Sequence, residues 1–80
     1  MESFLAGKRV AVVGMARSGI GAAKLVHRLG GRALISDVKS NQDLDLIVTD
    51  LTRAGVEIET GGHKRIGQEE FDFVILSPGV

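Results

Sequence analysis

"RVAVVGMARSGIGAAKLVHRLGG", Arg9 to Gly31, decides the fold. Its opening, Arg9 to Gly14, is short, β-branched and apolar on both faces, which predicts a strand buried between helices. From Ser18 to Leu29, Ala22, Leu25, Val26 and Leu29 recur at i, i+3, i+4 and i+7, with Lys24, His27 and Arg28 on the other side. That pattern predicts an amphipathic helix with the four apolar residues facing the sheet. Gly30 and Gly31 stop it, because glycine accepts the left-handed cap conformation.

Working outward, the same alternation repeats. "RALISD" (32–37) reads as a second buried strand. "SNQD" (40–43) offers a helix start, with Ser40 as cap and Asp43 near the positive end of the dipole. Leu44, Ile47, Val48 and Leu51 form the second helical stripe, closed by Gly55. "VEIE" (56–59) alternates like a strand with one exposed face near a sheet edge. "GGHKRIGQEE" (61–70) reads as a loop with at most one helical turn, "FDFVILS" (71–77) as the fourth strand and "SPGV" (77–80) as a turn. The expected class is α/β. It is a Rossmann-like open, mostly parallel sheet with helices on both faces, three layers deep, formed by residues 1–80 as one domain. Such folds continue to a fifth strand, so truncation after the fourth strand is expected.

Composition narrows the function classes. Ten basic and ten acidic residues balance, so no global field favours nucleic acid or a membrane surface. The absence of cysteine excludes disulfides, thiolate metal sites and a cysteine nucleophile. "MESFLAGKRV" does not read as a secretory signal. The longest apolar runs, Val10–Val13 and Phe73–Leu76, are four residues long. That is far short of the roughly 20 needed to span a bilayer. These features suit a cytoplasmic protein.

Every candidate site residue lies at the carboxyl end of an expected strand, where open α/β sheets bind ligands. Gly14-Met15-Ala16-Arg17-Ser18-Gly19 leads from strand to helix, and backbone N–H groups at a helix start favour a phosphate. Gly14 permits the sharp turn and Gly19 lets the helix approach the sheet. Ser18 can cap the helix or donate to a phosphate oxygen, and Arg17 supplies a charge or points to solvent. A dinucleotide fingerprint would read G-x-G-x-x-G, and here the middle glycine is Ala16. Asp37, 18 residues after Gly19, ends the second strand, where an acidic residue in these folds bonds a ribose hydroxyl. Ser77, Pro78 and Gly79 follow the strand expected beside the first, across the same crevice. The bland alternatives are a tight turn without ligand, a solvated Asp37 and a plain strand-ending turn. His63 reads as a surface-loop histidine and His27 as solvated. Glu57, Glu59, Glu69 and Glu70 read as solvated faces. No Ser-His-Asp spacing, carboxylate pair, metal-ligand cluster or G-x-x-x-x-G-K-[ST] loop is present, so no catalytic or metal site is expected here.

"GKRVAVVGMARSGIGAAKLV" (7–26), "ISD" (35–37), "GVEIETGGH" (55–63) and "DFVILSPGV" (72–80) together resemble the N-terminal domain of the Mur ligases, in particular the D-glutamate-adding members. The resemblance covers nearly the whole chain. It implies a cytoplasmic, three-domain ATP-dependent ligase of peptidoglycan synthesis. The first domain would hold the UDP part of UDP-N-acetylmuramoyl-L-alanine without a nicotinamide cofactor. ATP, magnesium and D-glutamate would be bound by further domains. By the resemblance, Met15, Ala16, Arg17, Ser18 and Gly19 line the diphosphate through backbone N–H groups. Ser77, Pro78 and Gly79 face the same phosphates, and Asp37, Val38 and Lys39 lie by the uridine. Family members often carry glycine at the position of Ala16, and some carry a hydroxyl at that of Val38. The competing readings are an NAD(P)- or FAD-binding domain of an oxidoreductase or regulator, and a bare interaction module.

Overall fold

A central strand buried on both faces organises the molecule. The computed structural model describes residues 4–15, 17–38 and 45–76. Its elements run β1 (Arg9–Val13), α1 (Arg17–Arg28), β2 (Arg32–Asp37), α2 (Asp45–Arg53), β3 (Glu57–Thr60), α3 (Lys64–Gln68) and β4 (Phe73–Leu76). The four strands form one sheet in the order β3-β2-β1-β4, and every neighbouring pair is parallel. The expected α/β alternation and the central place of the first strand are both present.

Register explains the layers. Val10 lies opposite Ala33, Val12 opposite Ile35, and Ile35 opposite Ile58, so these side chains share one face. Val10, Val12, Ala33 and Ile35 form one buried cluster with Ala23 and Val26 of α1, Leu51 of α2 and Val56, with Ile58 packed against it. The other face carries Ala11, Leu34 and Ser36, all fully buried, with Glu57 and Glu59 in the same rows. The segment from β3 to β4 lies on that second face. Arg9 stacks on the Phe71 ring, 4.7 Å from its centroid, and its guanidinium donates to the Glu70 carbonyl at 2.9 Å and pairs with Glu69. Arg65 of α3 reaches Glu57 at 2.9 Å and Glu69 at 2.5 Å, and its N–H donates to Glu59 at 3.0 Å. Helices therefore cover both faces, two on one and a single short helix on the other.

Two expectations are corrected. The buried face of α1 is Gly19, Ala23 and Val26, whereas Leu25 and Leu29 are 53% and 40% exposed. Small residues face the sheet because the helix lies close to it. Glycine and alanine carry little hydrophobic signal, so the leucines drew the stripe off phase. Glu57, Glu59 and Glu69 are not merely solvated, because each bonds an arginine side chain or backbone N–H on the crossover or the first strand.

The ends of α1 and α2 share one device. Gly30 N–H donates to the His27 carbonyl and Gly31 N–H to that of Val26. In the same way Gly55 N–H donates to Thr52 and Val56 N–H to Leu51. These pairs are Schellman closures, in which a left-handed residue returns the chain against the helix. Gly55, at φ +90, needs the freedom of glycine, and the His27 ring lies against it. Ser40, Asp43 and Leu44 fall outside the described residues.

Candidate nucleotide site

The carboxyl ends of β1 and β2 are joined by the chain leaving β1. At Gly14 the backbone takes φ +100, a left-handed conformation that favours glycine. Gly14 N–H donates to the Ser36 carbonyl at 2.7 Å. One residue on, buried Met15 donates its N–H to the Asp37 Oδ2 at 2.9 Å. A hydrogen bond from backbone N–H to a carboxylate is charge-assisted and among the stronger kinds. The turn then enters α1 at Arg17, with Arg17 and Ser18 exposed and Gly19 buried. No acidic residue occupies the first turn of α1, so nothing on the helix itself offsets the positive end of its dipole.

Asp37 is only 8% exposed, and the structure gives it a role the sequence did not suggest. Its carboxylate fixes the βα turn from across 22 residues, so the Met15 N–H is engaged within the protein. Its carbonyl accepts the Gly62 N–H at 3.2 Å, which attaches the loop after β3 to the same strand end. Val38 follows, largely exposed at the rim. Ala16, Lys39, Ser77, Pro78 and Gly79 lie outside the described residues. Of the expected site, the structure thus brings together Met15, Asp37 and the start of α1, with Val38 beside them.

His63 corrects its reading as a surface-loop residue. It is half-buried, and its Nδ1 shares a hydrogen bond of 2.6 Å with the Oγ of fully buried Ser36. The signal for this was the preceding Gly61-Gly62, whose φ values of +80 and +155 return the loop over the end of β2. Among the described residues, no buried side-chain polar atom lacks a partner.

The ionic cluster of Arg9, Arg65, Glu57 and Glu69 is separate. It begins at the amino ends of β1 and β3 and fastens the crossover to the sheet. Hydrogen bonds from Arg65 and then Arg9 hold the Glu69 carboxyl down at about 2, and Glu69 and Glu57 raise Arg65 above its usual range. Among the described residues no group of His, Cys, Asp and Glu is placed to hold a metal ion. Among the described residues no helix is long and apolar enough to cross a membrane.

No protein-family model matches the chain. Curated relatives do. The chain is 37% identical over 76 residues to the UDP-N-acetylmuramoylalanine--D-glutamate ligase of Acidobacterium capsulatum, with 95% of the chain covered. It is 40% identical over 75 residues to the enzyme of the same name from Enterococcus faecalis, and 42% identical over 76 residues to that from Chloroherpeton thalassium. These two alignments cover 91% and 92% of the chain. The chain spans 16% of the length of each of these relatives. With a parallel sheet in the order β3-β2-β1-β4 and a glycine turn into α1, the chain is similar along nearly all of its own length to a segment of these Mur ligases.

Proposed function

We propose that these 80 residues hold the UDP portion of a nucleotide-sugar substrate for an ATP-dependent amide ligase, one that adds D-glutamate to UDP-N-acetylmuramoyl-L-alanine. The observation that carries this reading is the bond from Met15 N–H to Asp37. It sets an acidic strand end beside a helix start free of acidic residues, at the carboxyl end of the central strands. The helix start suits the diphosphate, with Arg17, Ser18 and Gly19 nearest it and Ala16 between them and Met15. In this reading Asp37 and Val38 face the uridine, and the resemblance assigns Lys39 to the uridine and Ser77, Pro78 and Gly79 to the phosphates, all four outside the described residues.

This domain supplies binding and orientation. In the whole enzyme, ATP with magnesium and D-glutamate are bound by further domains. There the substrate carboxylate attacks the γ-phosphorus of ATP, ADP leaves, and an acyl phosphate forms. The amine of D-glutamate then attacks, forming the amide and releasing phosphate. A cytoplasmic place in cell-wall synthesis, and through it a part in cell shape and division, follows from those substrates.

Titration of the 80-residue chain with UDP and with NAD, read by amide shifts, tests the reading. UDP is expected to move Ser18, Gly19 and Val38, and Asp37→Ala to weaken that binding by about 1–3 kcal/mol. Shifts with NAD and none with UDP would instead favour a dinucleotide-binding domain.

A further inference from the structure

Four backbone or side-chain bonds converge on the dipeptide Ser36-Asp37. From the βα turn, Gly14 N–H reaches the Ser36 carbonyl and Met15 N–H reaches the Asp37 carboxylate. From the loop after β3, Gly62 N–H reaches the Asp37 carbonyl and His63 Nδ1 meets the Ser36 hydroxyl. The turn therefore hangs from one side of the dipeptide while His63 and Gly62 brace the other. The His63 bond is the one side-chain anchor of that brace, and its partner has no access to water.

We propose that His63 is a positioning residue for the nucleotide site, acting through Ser36 to hold Asp37 and hence the Gly14–Met15 turn in its bound shape. The proposal rests on the nucleotide reading above for its ligand, and on geometry alone for its action. A buried hydroxyl costs free energy unless it is bonded, so Ser36 and His63 hold each other in place. Without the ring, Ser36 must turn or admit water, and the side-chain anchor of the loop on β2 is lost while the 3.2 Å backbone bond from Gly62 remains. Strand β2 then loses its brace at the residue before Asp37. No proton transfer or bond rearrangement is involved; the effect is one of pre-organisation, in which a site held in its bound geometry spends less on ordering.

Amide exchange and UDP titration of the 80-residue chain, comparing wild type with His63→Ala, His63→Asn and Ser36→Ala, test this. A general loss of stability raises exchange equally at Val12, Gly14 and Met15. Positioning predicts that His63→Ala and Ser36→Ala raise exchange at Gly14 and Met15 about tenfold beyond the change at Val12, and weaken UDP about three- to tenfold, the scale of one lost hydrogen bond. His63→Asn places an amide where Nδ1 stood and restores most of both. The double variant Ser36→Ala/His63→Ala is no worse than either single change. Equal exchange at the three amides, or additive single effects, overturns the proposal. If His63→Ala does not fold, Ser36→Ala and His63→Asn carry the same comparison. A wild type that ignores UDP removes the nucleotide reading, while the exchange comparison still decides the action of His63.

Discussion

β3 and β4 border the same sheet on opposite sides and are equipped in opposite ways. β3 sets Glu57, Glu59 and Thr60 around a single apolar residue, Ile58, and Glu57 draws in Arg65 at 2.9 Å and Arg32 at 3.8 Å. β4 is Phe73-Val74-Ile75-Leu76, exposed along its whole length and without a charge. Val74 is 53% and Leu76 72% exposed, and Phe4 packs on Phe73 in a tilted pair with centroids 5.4 Å apart. The two strands also differ beneath. α2 packs Leu51 into the core beside β3, while β4 is held by its ladder to β1 and by Asp72, which accepts the Arg9 N–H at 2.8 Å. Charge on an edge strand discourages a further strand from adding, and an apolar edge invites one. One edge is closed by electrostatics, and the other remains competent to pair.

The largest expected effect breaks the β3 side. Leu51→Ala removes a fully buried side chain and is expected to destabilise by about 2–5 kcal/mol, measured by chemical denaturation. The equivalent truncation on the other edge, Val74→Ala, is expected to change stability by less than about 0.5 kcal/mol. Comparable losses at the two positions would show that the edges are equally integrated.

An intermediate effect concerns acid. Glu69 titrates at about 2 when folded against a usual 4.5, because Arg65 and Arg9 bond its charged form. Its folded value is depressed, so the stabilisation is complete above about 4.5 and is lost as the pH falls from there toward 2. Arg65→Met is expected to lower the thermal midpoint at pH 7, with the difference from wild type shrinking on acidification. A difference constant between pH 6 and pH 2 removes the cluster from the account of acid sensitivity.

The smallest effect on stability comes with a distinct readout. Val74→Lys places a charge on β4, which carries none, and is expected to leave the denaturation midpoint within about 0.5 kcal/mol. It is also expected to reduce any concentration-dependent association seen by sedimentation. Thr60→Lys, at an exposed position on the guarded edge, is the control for charge alone.

The order of strands and of the two longer helices was legible in the sequence because β1 and β2 are apolar on both faces and α1 and α2 each close on a glycine. The site was legible in outline, since the glycine turn and Asp37 stand at strand ends. The phase of α1 was not, because Gly19 and Ala23 face the sheet by being small. The Arg9 partner of Glu69 and the His63 partner of Ser36 were hidden for another reason: they meet only after the chain has crossed the sheet, 60 and 27 residues away. Local pattern carries no information about such meetings.

The same separations bear on how the turn at Gly14 comes into being. Its bond to Asp37 spans 22 residues, and the brace at Ser36 spans 27, so neither exists until β2 and the loop after β3 have docked. Such non-local contacts are closed late, after their loop entropy has been met. A peptide containing only the turn and α1 would therefore lack the shape of the cradle. Any ligand that prefers the finished cradle must bind the folded ensemble and not its precursors, so occupancy raises the stability of the whole sheet by mass action.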